Sequence, residues 1–92
     1  MALVIVFTPK STLAQYDESI RRLKAAGQGS PKGRLYHACF GADNHLRVVD
    51  IWSSQADFDQ FGAVMMPILA EVGIDPGTPD IQPAHNILIG QE

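Results

Sequence analysis

The sequence lacks long apolar runs, paired cysteines and clustered positive charge. Its longest apolar stretch, residues 2–7, is far shorter than the roughly 20 residues of a membrane-spanning helix, and no basic segment precedes it as in a secretory leader. The single cysteine, Cys39, can form neither an internal disulfide nor a zinc site by itself. The seven Lys and Arg residues are dispersed in a chain of net charge −3, which argues against a nucleic-acid partner. We therefore expect a cytoplasmic protein with no membrane partner.

The composition is typical of one globular domain. Hydrophobic residues make up 46% of the 92 positions, which excludes a disordered chain. A chain of this length has room for only one core, so we treat residues 1–92 as a single domain.

Hydrophobic periodicity predicts six elements. Short apolar or alternating segments predict strands at residues 2–7, 34–41, 46–52 and 81–89. One helix is predicted after Thr12, which stands at capping-box spacing from Gln15, and a second after Ser54, ending at Gly73. The order βαββαβ is that of the ferredoxin-like α+β fold, in which a four-stranded antiparallel sheet carries two helices on one face.

The face of the sheet away from the helices is expected to be apolar. Both alternating rows of the first strand are apolar, and in the third strand we place Val48 and Trp52 on the face without helices. At roughly 25 cal/mol per Å² of apolar surface, covering such side chains stabilises the protein by several kcal/mol. A homodimer with sheet packed on sheet is the simplest cover. The alternative is that the last strand, or the Pro-rich loop before it, folds across this face.

The chain resembles the dimeric α+β barrel superfamily, and in particular its small antibiotic-biosynthesis-monooxygenase-like members. Besides the element order, the resemblance lies in residues 12–17, 48–54, 58–61 and 83–86, and it covers the whole chain. It implies a homodimer with a small-molecule ligand in the barrel. It identifies a fold rather than one activity, because the superfamily includes oxygenases, isomerases and haem-degrading enzymes.

The hairpin formed by the second and third predicted strands places a histidine beside an aspartate. With residues 42–45 as the loop, His37 opposes Asp50 and Leu35 opposes Trp52, and opposed side chains share a face. We place this row, too, on the face without helices. A carboxylate beside His37 would fix the tautomer of the imidazole and make it a general acid or base. The alternative is a self-satisfied polar pair that only fixes the register of the hairpin.

Four further residues are candidates for contact with a ligand, namely Tyr16, Trp52, His85 and Asn86. Side chains alternate along a strand, so only one of His85 and Asn86 can face a cavity, and the resemblance favours His85. Trp52 is large and amphipathic enough to line a cavity or a dimer interface. Tyr16 stands on the apolar stripe of the first helix, with its hydroxyl expected at the rim.

No metal or cofactor is expected. His37 and Cys39 stand alone on a strand, whereas structural zinc sites have closely spaced ligand pairs on turns. The haem-degrading relatives use an Asn, a Trp and a His, but the first strand of this chain has no Asn, so haem is not carried over.

Two functions remain open. One is a cofactor-independent monooxygenase or an isomerase that acts on an aromatic or enol-like metabolite, with His37 and Asp50 as its catalytic residues. The alternative is a non-catalytic ligand-binding or dimerisation module. An enclosed cavity of about 300 Å³ or more that contains both residues would favour the enzyme, and a cavity filled by side chains would favour the module.

Overall fold

The computed structural model describes residues 1–92 and contains four strands and two helices. The elements are β1 (Leu3–Phe7), α1 (Leu13–Ala25), β2 (Arg34–Ala42), β3 (His45–Trp52), α2 (Gln55–Val72) and β4 (Asp80–Pro83). The strands form one antiparallel sheet in the order β2-β3-β1-β4. The predicted ferredoxin-like α+β fold is confirmed. Neither helix has the length and apolarity to span a membrane.

Both helices begin at the predicted caps. The side chain of Thr12 accepts a hydrogen bond from the Gln15 backbone N–H at 3.0 Å, and the Gln15 side chain accepts one from the Thr12 N–H at 2.8 Å. Ser54 accepts a hydrogen bond from the Asp57 N–H at 3.2 Å. Gly73 ends α2 with φ 82°, a left-handed conformation that side chains disfavour.

The helices cover the opposite face of the sheet from the one we predicted. One core cluster joins the sheet to both helices and consists of Ile5, Phe7, Leu23, Val48, Trp52 and Phe61. Val48 and Trp52 therefore face the helices, and their predicted place on the open face is wrong. Because both rows of the sheet are apolar, hydrophobicity alone does not distinguish the two faces.

The open face of the sheet carries the alternate row of side chains. The apolar and aromatic members of this row are Val4, Val6, Tyr36, Ala38, Phe40, Val49 and Ile51, and the polar residues Arg47, Asp80 and Gln82 lie on the same row. Tyr36 is 57% exposed and Phe40 is 46% exposed, and the guanidinium carbon of Arg47 lies 5.5 Å from the centroid of the Phe40 ring. We name this row the open-face row.

The hairpin between β2 and β3 has the predicted register over most of its length. Ala42 already pairs with His45, so the turn itself contains only two residues. His37 lies opposite Asp50, as predicted, but the pair faces the helices, so its predicted place on the face without helices is wrong. The tip of the hairpin also contacts α1, because Asp43 Oδ1 accepts a hydrogen bond from the Leu13 backbone N–H at 2.8 Å.

A β-bulge changes the register at the start of β2. The irregularity falls between Arg34 and Tyr36, so that Arg34 opposes Trp52. The predicted pairing of Leu35 with Trp52 is therefore wrong, and Leu35 is exposed instead. A bulge inserts one extra residue into a strand and turns the side chains beyond it. It brings Arg34 to the face that the helices cover.

The last strand is shorter than predicted. It ends at Pro83, which pairs with Leu3, the first residue of β1. The predicted strand over residues 84–89 is wrong because β1 offers no strand residues opposite this segment. Leu88 and Ile89 are exposed.

Trp52 is the centre of the aromatic packing. Its ring centroid lies 5.6 Å from that of Phe58 and 5.3 Å from that of Phe61. We expect Trp52→Ala to lower the free energy of unfolding by about 3–5 kcal/mol, because it leaves a cavity in the core. Urea denaturation followed by circular dichroism measures this loss. Trp52→Phe keeps a ring and should cost less, so equal losses in the two variants would contradict this assignment.

Candidate functional site

Four side chains form a continuous chain of hydrogen bonds from the core to α1. Trp52 Nε1 donates to Asp50 Oδ2 at 3.2 Å. The other carboxylate oxygen of Asp50 lies 2.5 Å from His37 Nδ1, and His37 Nε2 lies 2.6 Å from the Tyr16 hydroxyl. We name this set the proton chain. Strand alternation places three of its members on one row of the hairpin, and the helical stripe of α1 supplies the fourth.

A neutral His37 with its proton on Nδ1 satisfies every hydrogen bond of the proton chain. An ionised carboxylate only accepts hydrogen bonds, so Asp50 requires a proton on His37 Nδ1. In the neutral imidazole this leaves a lone pair on Nε2, which accepts the hydroxyl proton of Tyr16. No buried side-chain nitrogen or oxygen in the protein lacks a hydrogen-bond partner.

Burial decreases along the proton chain towards the cavity. The side chain of Asp50 is only 5% exposed, whereas that of His37 is 21% exposed. An unpaired carboxylate at such a depth would be costly, and Asp50 avoids this cost by bonding through both oxygens. Asp50 therefore accepts a hydrogen bond, from within the core, from a histidine that lines the cavity.

Tyr16 holds its proton firmly. Burial raises the pKa of Tyr16 to about 12, with a further contribution from Cys39, while the nearby positive charge of Arg34 opposes the shift. Its ring is nearly parallel to that of His37, at an interplanar angle of 3° and with the centroids 6.0 Å apart, so the two rings meet edge to edge through their hydrogen bond. At neutral pH the phenol therefore stays protonated and donates to His37.

A partly open cavity of about 70 Å³ lies between the sheet and the helices. Its ionisable lining residues are Tyr16, Arg34, His37 and Asp50, and the rest of the wall is mainly aliphatic and aromatic. His37 and Asp50 thus converge on a cavity, but the cavity is far smaller than the roughly 300 Å³ set as the mark of an enclosed pocket. A ring-sized ligand would need flexible wall residues such as Met65 to move, or would extend through the opening.

The remaining predicted ligand contacts lie outside this cavity. Trp52 is fully buried behind Asp50 and does not line it. His85 and Asn86 follow the end of β4, are exposed, and are likewise absent from the lining. Their predicted position depended on a strand that stops at Pro83. Of the four candidates, only Tyr16 faces the cavity.

Arg34 is a charged residue of the cavity wall that the sequence analysis did not place there. It lines the cavity because of the bulge, whereas simple alternation assigns it to the opposite face. Its guanidinium carbon lies 5.6 Å from the centroid of the Phe61 ring. No pattern in the sequence marks the bulge, so nothing short of the structure locates this side chain.

Cys39 and the acidic residues offer no metal centre. No group of three or more His, Cys, Asp or Glu side chains is arranged to hold a metal ion. Burial raises the pKa of the Cys39 thiol, which keeps it protonated and a poor metal ligand at neutral pH.

The raised pKa of Tyr16 has a consequence for stability at high pH. The folded protein binds the phenolic proton more tightly than the unfolded chain, so this contribution is complete below about pH 10 and is lost as pH approaches 12. We expect the stability difference between the wild type and Tyr16→Phe to shrink over this range. Urea denaturation of both proteins at several pH values measures it. A difference that stays constant across the range would contradict the assignment.

Comparison with known proteins identifies the fold. Neither a protein-family model nor a curated protein matches the sequence. Among solved structures, SnoaB, a cofactor-independent oxygenase from Streptomyces nogalater, is similar with 18% identity and a TM-score of 0.64, over 95% of this chain and 94% of SnoaB. An inferred antibiotic biosynthesis monooxygenase from Chloroflexus aurantiacus has 15% identity and a TM-score of 0.65, over 98% of this chain and 100% of its own.

A third similar structure contains a ligand. It is the monooxygenase ActVA-Orf6 of Streptomyces coelicolor in complex with nanaomycin D, with 17% identity and a TM-score of 0.53, over 97% of this chain and 92% of that protein. The similarity extends over nearly the whole of each chain, which agrees with the resemblance noted in the sequence. This chain therefore has the fold of the antibiotic-biosynthesis-monooxygenase-like structures.

Proposed function

We propose that this protein is an enzyme that removes a proton from a small aromatic or enol-like molecule bound between the sheet and the helices. The observation that carries the proposal is the proton chain, which starts at a buried carboxylate and ends at two residues in the wall of an apolar cavity. The known activities among similar structures, a cofactor-independent oxygenase and a monooxygenase, use the same fold. We expect the enzyme to work in the cytoplasm without a bound cofactor.

The proton chain can act as a base with a phenolic intermediary. A substrate hydroxyl placed against Tyr16 gives its proton to the phenol oxygen, while Tyr16 passes its own proton to His37 Nε2. His37 then becomes an imidazolium, which the Asp50 carboxylate stabilises at Nδ1. The net result is one proton on His37 and one negative charge on the substrate. Trp52 keeps the second oxygen of Asp50 occupied, so the carboxylate stays aimed at His37.

The substrate anion determines the outcome of the reaction. In a monooxygenase it reacts with O₂, so that a CH₂ group becomes a carbonyl and the second oxygen atom leaves as water. In an isomerase the anion regains a proton from His37 at a carbon instead of at the oxygen, so that the enol becomes a ketone. The apolar wall suits both reactions, because it offers water few hydrogen-bonding partners beside the reactive anion.

The second candidate function is a ligand-binding or dimerisation module without catalysis. The small volume of the cavity favours this candidate, as does the fact that the proton chain satisfies itself without a substrate. In such a protein the proton chain would only hold α1 to the hairpin. The two functions differ in whether His37 affects a reaction or stability alone.

The catalytic proposal predicts loss of activity in His37→Ala. Hydroxylated aromatics, quinols and enolisable ketones are screened for oxygen uptake and, in D₂O, for deuterium incorporation by NMR. We expect His37→Ala to lower the rate on a substrate by about 100-fold or more, because general bases contribute roughly 10²–10⁴. Asp50→Asn should also lower it, since the amide can present an N–H donor to His37 and change its tautomer.

The control for this experiment is His45→Ala, because His45 is exposed in the hairpin and lies outside the cavity wall. It should keep the wild-type rate. An unchanged rate in His37→Ala, in a protein that is still folded by circular dichroism, would rule out the proposed base. Failure of every compound in both assays would favour the non-catalytic module.

We further propose that the protein is a homodimer in which the open-face rows of two copies pack together. A monomer leaves this row uncovered, with Tyr36 and Phe40 about half exposed. Contiguous apolar patches of this kind mark interaction surfaces, and a symmetric dimer covers both copies at once. This surface replaces the predicted one that contained Val48 and Trp52.

The dimer proposal predicts that a charge in the centre of the open-face row separates the subunits. Val49 lies between Val6 and Ala38 in the sheet, so Val49→Lys would bury two like charges near each other in the dimer. Analytical ultracentrifugation should show a dimer for the wild type and the 10.0 kDa monomer for this variant. Ala63→Lys, on the exposed surface of α2, should remain dimeric. A monomeric wild type at micromolar concentration would contradict the proposal.

A further inference from the structure

Arg34 is held at the cavity wall by contacts that leave part of its guanidinium free. Its Nη2 donates to the Gly29 carbonyl at 3.2 Å, and its charge lies over the face of Phe61. Neither Nε nor Nη1 donates to any protein acceptor. Arginine carries five N–H donors in a rigid plane, so most of its hydrogen-bonding capacity is available.

Arg34 is also the charged side chain in the cavity wall whose hydrogen-bonding groups are mostly unused. It forms no ion pair with any Asp or Glu, whereas Asp50 is bonded through both oxygens to His37 and Trp52. An arginine that is partly buried and unpaired favours an anion beside it. The guanidinium of Arg34 is therefore the charged group in this wall that has free donors for a ligand, because both oxygens of Asp50 are already occupied.

The position of Arg34 follows from the β-bulge rather than from regular strand geometry. Without the irregularity between Arg34 and Tyr36, alternation would turn this side chain to the open face of the sheet. Bulges are common next to active sites, where they redirect a side chain. Here the redirected side chain joins Tyr16 and His37 in the same wall.

We propose that Arg34 binds a carboxylate of the substrate, so that the preferred ligand is a hydroxylated aromatic or enolic acid rather than a neutral molecule. The inference rests on the proposed function, because Tyr16 and His37 then receive the hydroxyl of the same ligand. A planar carboxylate matches the fork of the guanidinium, which can donate two parallel hydrogen bonds to it. Arg34 thus determines which molecules bind and how they are oriented, while the proton chain performs the chemistry.

The test compares two ligands of similar shape, one with a carboxylate and one with a neutral amide in its place. Isothermal titration calorimetry measures the binding of 2-hydroxybenzoate and of the neutral 2-hydroxybenzamide to the full chain. We expect the wild type to bind the acid at least about tenfold more tightly, as a charge-assisted bidentate contact warrants. Arg34→Gln should remove this preference. Arg34→Lys keeps the charge but loses the planar fork, so this variant should keep only part of the preference for the acid.

The matched control is Arg21→Gln, which removes the same net charge from the exposed surface of α1 and should keep the preference of the wild type. Circular dichroism establishes that each variant is folded. If Arg34→Gln does not fold, the acid preference of Arg34→Lys is compared with that of the wild type instead. Equal binding of the acid and the amide by the wild type, an undiminished preference in Arg34→Gln or a full preference in Arg34→Lys would overturn the inference. Failure of both compounds to bind would overturn it as well.

The same ligands separate this inference from the proposed function. Binding of the acid needs Arg34 but not a base, so His37→Ala should retain the preference for the acid even where turnover is lost. A protein that prefers the acid but never turns over a substrate would support the role of Arg34 and contradict the enzyme. Turnover of neutral phenols with no preference for acids would support the enzyme and contradict the role of Arg34.

Discussion

A negative charge in the core is the constraint on which the rest of the structure depends. Asp50 lies in the central part of the sheet with 4% of its surface exposed, and only the indole of Trp52 and the imidazole of His37 satisfy its two oxygens. Losing either partner would leave a buried carboxylate with an unsatisfied oxygen, which costs more than an ordinary hydrogen bond contributes. The same requirement fixes the register of the hairpin and the tautomer of His37. Stability and reactivity therefore depend on the same few atoms.

The local pattern of the sequence predicts the fold well, since strands, caps and helix stops each have a signal of their own. Thr12, Ser54 and Gly73 mark the helix ends where the structure has them. The juxtaposition of His37 and Asp50 is also predictable, because a two-residue turn and strict alternation determine it. These inferences depend on the neighbouring residues alone.

The features that sequence could not predict depend on long-range contacts. Both faces of the sheet are apolar, so only packing against the helices shows that Trp52 lies inside and Tyr36 outside. The bulge beside Arg34 and the end of β4 at Pro83 are set by what the neighbouring strand offers. The error at Pro83 also misplaced His85 and Asn86. Similar structures at 15–18% identity show that the fold tolerates wide changes in side chains.

The hydrogen bond from Leu13 to Asp43 gives the helix that carries Tyr16 a second point of attachment to the hairpin. The first is the hydrogen bond between Tyr16 and His37, on the side of α1 that packs against the core through Leu23. The two hydrogen bonds lie about one helical turn apart, so together they fix the orientation of α1 relative to the hairpin. A change of length in the turn at Asp43 would therefore displace the phenol from the imidazole without altering either residue. The shortness of that turn thus keeps the two rings aligned.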